Sequence, residues 1–239
     1  MSQFRWMVFT SRKLVWGVLL LCFSAGAHAL NVTVTNGSFS SVAGAVTVDF
    51  GVSPINNVGP VSGSLPSGIL GGVTYSYSGG ALFNFDGTSS LPNGTAARPV
   101  GSQDNFWSIG TNPAAQQGPG IVYLGAGVSY YGFLWGSPDA SGWNSVSFFD
   151  GTTQLGPTFD GSAILNPPDG NQSFARYFNV FAGPGEVITS VRFNANTNAF
   201  ETDNHAFISA VPEPEIYAMM GLGLGLLGWV GRRRRLQAA

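Results

Sequence analysis

Apolar and polar positions alternate along most of this chain with a period of two. Val46, Val48 and Phe50 share one face across Thr47 and Asp49, and Tyr131, Phe133 and Trp135 alternate with Tyr130, Gly132 and Leu134. Phe174, the run from Tyr177 to Phe181 and the run from Val187 to Phe193 continue the pattern with β-branched and aromatic residues. Such alternation is what a half-buried strand requires. Between the two hydrophobic termini no window keeps a helical period. Turn signals separate the runs at Asp86-Gly87, Asn93-Gly94, Asp150-Gly151 and Asp169-Gly170. The pair Asp150-Gly151, between Val146–Phe149 and Thr152–Leu155, predicts a hairpin. Ser53 to Gly72, rich in Gly, Pro and Ser, predicts the longest loop.

Many short strands joined by such turns predict an all-β body, a single β-sandwich of jelly-roll type over residues 30–210. About 180 residues suffice for one domain with a real core. The aromatics Trp135 and Trp143 are expected in that core. Trp107 is placed either in that core as well or, as the candidate for sugar stacking, with a flat face turned to a sugar ring.

The two ends follow a different pattern. Arg5, Arg12 and Lys13 precede the apolar stretch Leu14 to Ala25, and Ala27-His28-Ala29 supplies small residues for cleavage by signal peptidase. Residues 1–29 therefore predict a signal peptide, and export. Cys22, the one cysteine, lies within it, so the body has no disulfide to form and must be stabilised by its core or by bound ions. At the other end Val211-Pro212-Glu213-Pro214-Glu215 leads into the apolar run Ile216 to Val230, which is followed by Arg232-Arg233-Arg234-Arg235. Pro212 and Pro214 fix φ and exclude helix, presenting the motif extended. The apolar run of fifteen residues spans about 22 Å as a helix, against a bilayer core of ~30 Å. That is short for a permanent anchor, and Gly221 and Gly225 have the GxxxG spacing for close approach of another membrane helix. The four arginines would hold the extreme C-terminus in the cytoplasm.

This order of motif, short apolar helix and basic stop resembles the PEP-CTERM tail of bacterial exported proteins, which are substrates of the membrane transpeptidase exosortase. The resemblance covers residues 211–235 and implies a sorting address, with Pro212, Glu213 and Pro214 as the motif and Arg232 to Arg235 as the stop. Glu215 departs from the Ser or Thr usual after the second proline. Tails of this kind are also catalogued with ice-binding proteins.

Charge narrows the partners. Between Leu30 and Val211 the basic residues are Arg98, Arg176 and Arg192, against ten acidic residues, which leaves this stretch at −7. Such a surface has no footprint for nucleic acid. Divalent cations and neutral polysaccharides fit it better. Glu201, Asp203 and His205 would share one side of a terminal strand, as metal ligands or as a solvent-facing polar stripe. No nucleophile elbow, phosphate loop or dinucleotide fingerprint is present, so no enzyme activity is expected.

A second resemblance concerns the body. Phe83-Asn84-Phe85-Asp86-Gly87, Gly132-Phe133-Leu134-Trp135-Gly136-Ser137-Pro138-Asp139, Trp143 to Gly151, and Ala199 to Asn204 look like the body of one group of PEP-CTERM proteins. That group is similar in plan to galactose-binding-like carbohydrate-binding modules. Similar sandwiches hold calcium between an early acidic loop and the last strand, which here implies Asp86 and Asp203, with Asp104 as an outside candidate, as ligands of a structural Ca²⁺. The leading function class is an exported, noncatalytic surface or matrix protein associated with exopolysaccharide or biofilm. A carbohydrate-binding module is the alternative. An ice-binding protein, for which Thr33-Val34-Thr35 is the lone Thr-x-Thr rung, or a secreted hydrolase is less favoured.

Overall fold

The structure is a computed structural model; it describes residues 30–57, 59–85, 96–110, 119–197, 199–210 and 220–227. The body among these residues is all-β. The strands are β1 (Asn31–Thr35), β2 (Val46–Thr47), β3 (Ser67–Leu70), β4 (Val73–Ser78), β5 (Ala81–Phe83) and β6 (Phe106–Ile109), followed by the long β7 (Gly120–Gly136). After it come β8 (Asn144–Asp150), β9 (Thr153–Asp160), β10 (Ala175–Phe181), β11 (Ile188–Ala195) and β12 (Phe200–Ser209).

β7 organises the whole. Its first stretch pairs with β4 on one side, Tyr75 opposite Leu124, and with β11 on the other, Val191 opposite Val122. Its last stretch pairs with β10, Phe178 opposite Phe133, and with β12, Thr202 opposite Trp135. The change of partners falls at Gly125 and Gly127. Gly127 has φ +88°, a conformation that bends the strand and that a side chain would resist. One sheet thereby folds over on itself. β8 and β9 extend it beyond β11, while β6 and β5 extend it beyond β12.

The two halves face each other through aromatic rings. Phe193 of β11 meets Phe133 of β7 at 5.1 Å between centroids, edge to face, and Trp107 of β6 at 5.3 Å in the same manner. Trp135 lies 4.9 Å from Phe200. The alternating residues Tyr131, Phe133 and Trp135 occupy this core. The opposite face of β7 is covered as well. Tyr130 donates to Asn179 Oδ1 at 2.8 Å and accepts from the Ser40 hydroxyl at 2.8 Å, so the segment after β1 closes over it.

The expected hairpin is formed by β8 and β9, with Asp150 opposite Thr153 and Gly151 at φ +56°. The expected loop from Ser53 to Gly72 is shorter than the sequence suggested, because Ser67–Leu70 pairs with β4. Gly71 and Gly72 have φ +53° and +75°, the two positive values a tight hairpin turn requires. Their glycines served as loop signals in the sequence and are hairpin signals in the structure.

Candidate functional site

The terminal strand β12 carries the acidic and imidazole side chains of interest, and a bulge separates them. Asp203 lies opposite Leu134 and Ala206 opposite Gly132, so Asn204 and His205 together face the single residue Phe133. Asn204 takes φ +50°, and its carbonyl accepts from the Tyr177 hydroxyl at 2.8 Å while its side-chain amide donates to the Ser38 carbonyl at 2.8 Å. A regular strand would place Glu201, Asp203 and His205 on one side. The extra residue instead turns His205 onto the face of Thr202, whose hydroxyl lies 2.9 Å from its Nε2.

Three different environments result. His205 is fully buried, its Nδ1 is 2.9 Å from the Tyr77 hydroxyl and 2.6 Å from the Tyr131 hydroxyl, and its ring stacks on Phe193. Burial pushes its pKa down to about 3, so the ring is neutral. Glu201, also buried, accepts from the Ala97 backbone N–H at 2.8 Å and from the Ser137 hydroxyl at 3.5 Å. Burial, with the charge of nearby Asp139 adding to it, raises its pKa to about 8. Asp139 is itself raised to about 7 by burial and accepts from the Asn144 side-chain amide. None of these groups forms the solvent-facing stripe that the sequence also allowed. Among the described residues, no group of three or more His, Cys, Asp or Glu side chains is placed to hold a metal ion.

Asp203 opens instead onto a cavity of about 260 Å³. Its carboxylate accepts from the Asn204 backbone N–H at 2.7 Å and from the Ser102 hydroxyl. Burial raises its pKa to about 6, opposed by those two hydrogen bonds and by Arg98, while Asp104 pushes it up further. Arg98 fastens the loop that forms one wall, donating to the carbonyls of Gln103 and Asp104 at 2.6 and 2.7 Å and to Asn84 Oδ1 at 2.6 Å. The other wall is the segment after β2, where Asp49 caps the Gly51 N–H at 2.6 Å. Asp104, the outside candidate, therefore shares the cavity with Asp203. Asp86 lies outside the described residues.

The tryptophans divide between core and surface. Trp107 is fully buried, with its indole N–H donating to the Gly79 carbonyl at 3.0 Å and its ring packed on Tyr77 and Phe193. It has no free face for a sugar. Trp135 is buried as expected, but Trp143 is 46% exposed, because it sits in the turn before β8 rather than on the strand.

Beyond the body, residues 220–227 are helical, and Met220, Leu222, Leu224, Leu226 and Leu227 are all exposed. Residues 210–235 match the family model described as the PEP-CTERM protein-sorting motif. The chain carries a PEP-CTERM tail. Comparison with curated proteins and with solved structures gave no match.

The PEP-CTERM assignment rests on the stretch that contains Pro212, Glu213, Pro214 and Arg232 to Arg235. It marks an exported protein addressed to exosortase. These seven residues lie outside the described residues, as do Ala27 and Ala29 of the expected signal cleavage. No helix among the described residues is long and apolar enough to cross a membrane. What sequence reasoning missed is the cavity. Asp49, Asp104 and Asp203 are too far apart in the chain for spacing to join them, and Phe39 and Asn105 carry no motif.

Proposed function

We propose that this is an exported, noncatalytic surface or matrix protein whose PEP-CTERM tail holds it briefly in the inner membrane until exosortase processes it. On this reading residues 1–29 are removed by signal peptidase, and residues 30–210 form a sandwich of jelly-roll type. That body is retained in exopolysaccharide or biofilm. The observation that carries the proposal is the match of residues 210–235 to the sorting motif. The exposed leucines of residues 220–227 support it, since an unpacked apolar helix is stable where lipid covers it. The acidic body supports a polysaccharide rather than a nucleic-acid partner.

Intact-mass measurement of the protein released by exosortase-positive cells tests this. The expected product ends within or just after Pro212–Pro214 and lacks the arginines. A released protein whose mass still includes Arg235 overturns the proposal. Carbohydrate binding by the body is the second reading, favoured by the polar cavity beside Asp203.

A further inference from the structure

We infer that the outer face of β7, β11 and β8 binds an extended acidic polysaccharide, with Arg192 holding a sugar carboxylate between two exposed aromatic rings, Tyr123 and Trp143. The inference rests on the matrix association proposed above and gives it a site.

Alternation puts these side chains on one side of the sheet. Val191 and Phe193 of β11 are buried in the core, so Ser190, Arg192 and Asn194 face outward. Tyr123 lies opposite Ser190 on β7, between the buried Val122 and Leu124, and is 48% exposed. Ser145 lies opposite Asn194 on β8. Trp143, two residues before Ser145, is 46% exposed, and its carbonyl accepts from the Asn196 N–H at 2.7 Å, one step beyond the ladder. From Ser190 to Asn196 the chain takes six steps of ~3.3 Å, so the two rings stand about 20 Å apart along β11. That distance suits several sugar rings rather than one. The aromatic faces fit the C–H surfaces of sugars, and the side chains of Ser190, Asn194 and Ser145 between them offer hydroxyl and amide partners for sugar hydroxyls.

Charge decides which polysaccharide fits. Arg192 is exposed in the middle of this track, although the stretch from Leu30 to Val211 carries a formal charge of −7. Its Nε donates to Asn194 Oδ1 at 3.1 Å, and its terminal nitrogens have no acidic partner among the described residues. Those nitrogens form a planar fork that a carboxylate can engage through two parallel hydrogen bonds. Asp160, opposite Ser145 at the β9 edge, accepts from the Ser141 and Ser162 hydroxyls instead. The other cations of the body are placed differently. Arg98 is buried against loop carbonyls, and Arg176 lies over the Phe174 ring at 4.0 Å. Arg192 is therefore the cation set to receive an anion from solution, and the flanking rings match an anion carried on a sugar chain.

Isothermal titration calorimetry of the full chain in detergent tests this, with EDTA present so that calcium cannot bridge the ligand to aspartates. The ligands are a uronate oligomer and a neutral glucose oligomer of the same length. The uronate oligomer is expected to bind about fivefold more tightly than the glucose oligomer. Arg192→Gln should lower uronate affinity by about that factor and leave glucose affinity unchanged. Tyr123→Ala and Trp143→Ala should each weaken both oligomers. All three side chains are exposed, so the melting temperatures of the variants are expected to match wild type. Uronate bound no better than glucose, or bound equally well by Arg192→Gln, overturns the carboxylate contact. Absence of uronate binding, or binding untouched by both aromatic substitutions, overturns the face. Failure of the wider reading looks different: a wild-type chain that binds uronate in solution but is absent from the producer's matrix overturns matrix association and leaves the face standing.

Discussion

The Tyr131 hydroxyl lies 2.6 Å from Nδ1 of His205, and neither side chain reaches solvent. Tyr77 approaches the same nitrogen at 2.9 Å and Thr202 the other ring nitrogen at 2.9 Å. A neutral imidazole satisfies this arrangement, accepting at Nδ1 from a tyrosine and donating from Nε2 to the threonine. Removing the ring takes a hydrogen-bond partner from three hydroxyl groups in the core. His205→Ala is therefore expected to cost about 3–5 kcal/mol of stability, and Tyr131→Phe about 1 kcal/mol, in chemical denaturation. An alanine variant as stable as wild type would show that the polar cluster contributes nothing.

The buried carboxyl groups give stability a pH dependence. Glu201, Asp139 and Asp203 titrate in the fold at about 8, 7 and 6, above their ordinary values, so the native state keeps protons that the unfolded chain releases. Their contribution is complete below about pH 4 and is lost as pH rises toward 8. His205 works in the other direction, since its depressed value means that stability falls as pH drops from about 6.5 toward 3. Above about pH 6.5 only the carboxyl groups act. Stability should decline from pH 6.5 to pH 8, and Glu201→Gln, which keeps an acceptor for the Ala97 N–H, should flatten that decline. Parallel pH profiles for the two proteins would contradict the assignment.

Asn204 occupies a left-handed position at the bulge of β12. Glycine there relieves the backbone but loses the bond to the Ser38 carbonyl, whereas a β-branched residue meets the full steric conflict. Asn204→Val is expected to destabilise by about 2 kcal/mol or more, and Asn204→Gly by less. The order of the two melting temperatures checks this, and a reversed order rules out the strained conformation.

Trp107 and Trp143 should be distinguishable by fluorescence. Trp143→Phe is expected to remove most acrylamide-accessible emission from the body with little change in stability. Trp107→Ala should instead destabilise by about 3–5 kcal/mol. Quenching that survives the Trp143 substitution would place another tryptophan at the surface.

These contrasts show what the sequence could reveal. The inward alternation of Tyr131, Phe133 and Trp135 was legible because β7 is regular there, and a period of two assigns faces without knowledge of the partner strands. The arrangement on β12 was not legible. One extra residue at Asn204 reverses every later side chain, and its cause is tertiary: Tyr177 and Ser38 hold it from distant parts of the chain. Trp143 was misplaced for a local reason. Ser141-Gly142 before it is a turn signal, and the strand starts at the next residue. The cavity joins Asp49, Asp104 and Asp203 through folding alone. The sorting tail, by contrast, was readable in full because its parts are contiguous.

The seventeen-residue β7 has a mechanical meaning for a protein tethered at its C-terminus. The tail continues from β12, and β12 is laddered to β7 from Ser209 opposite Val128 to Thr202 opposite Trp135. A pull directed along β12 loads that ladder in shear, so its hydrogen bonds resist together rather than opening one after another. β7 then passes the load to β10 on its far side and, through the bend at Gly127, to β4 and β11. Traction from a tether would thus spread across both halves of the folded sheet before any one strand could peel away.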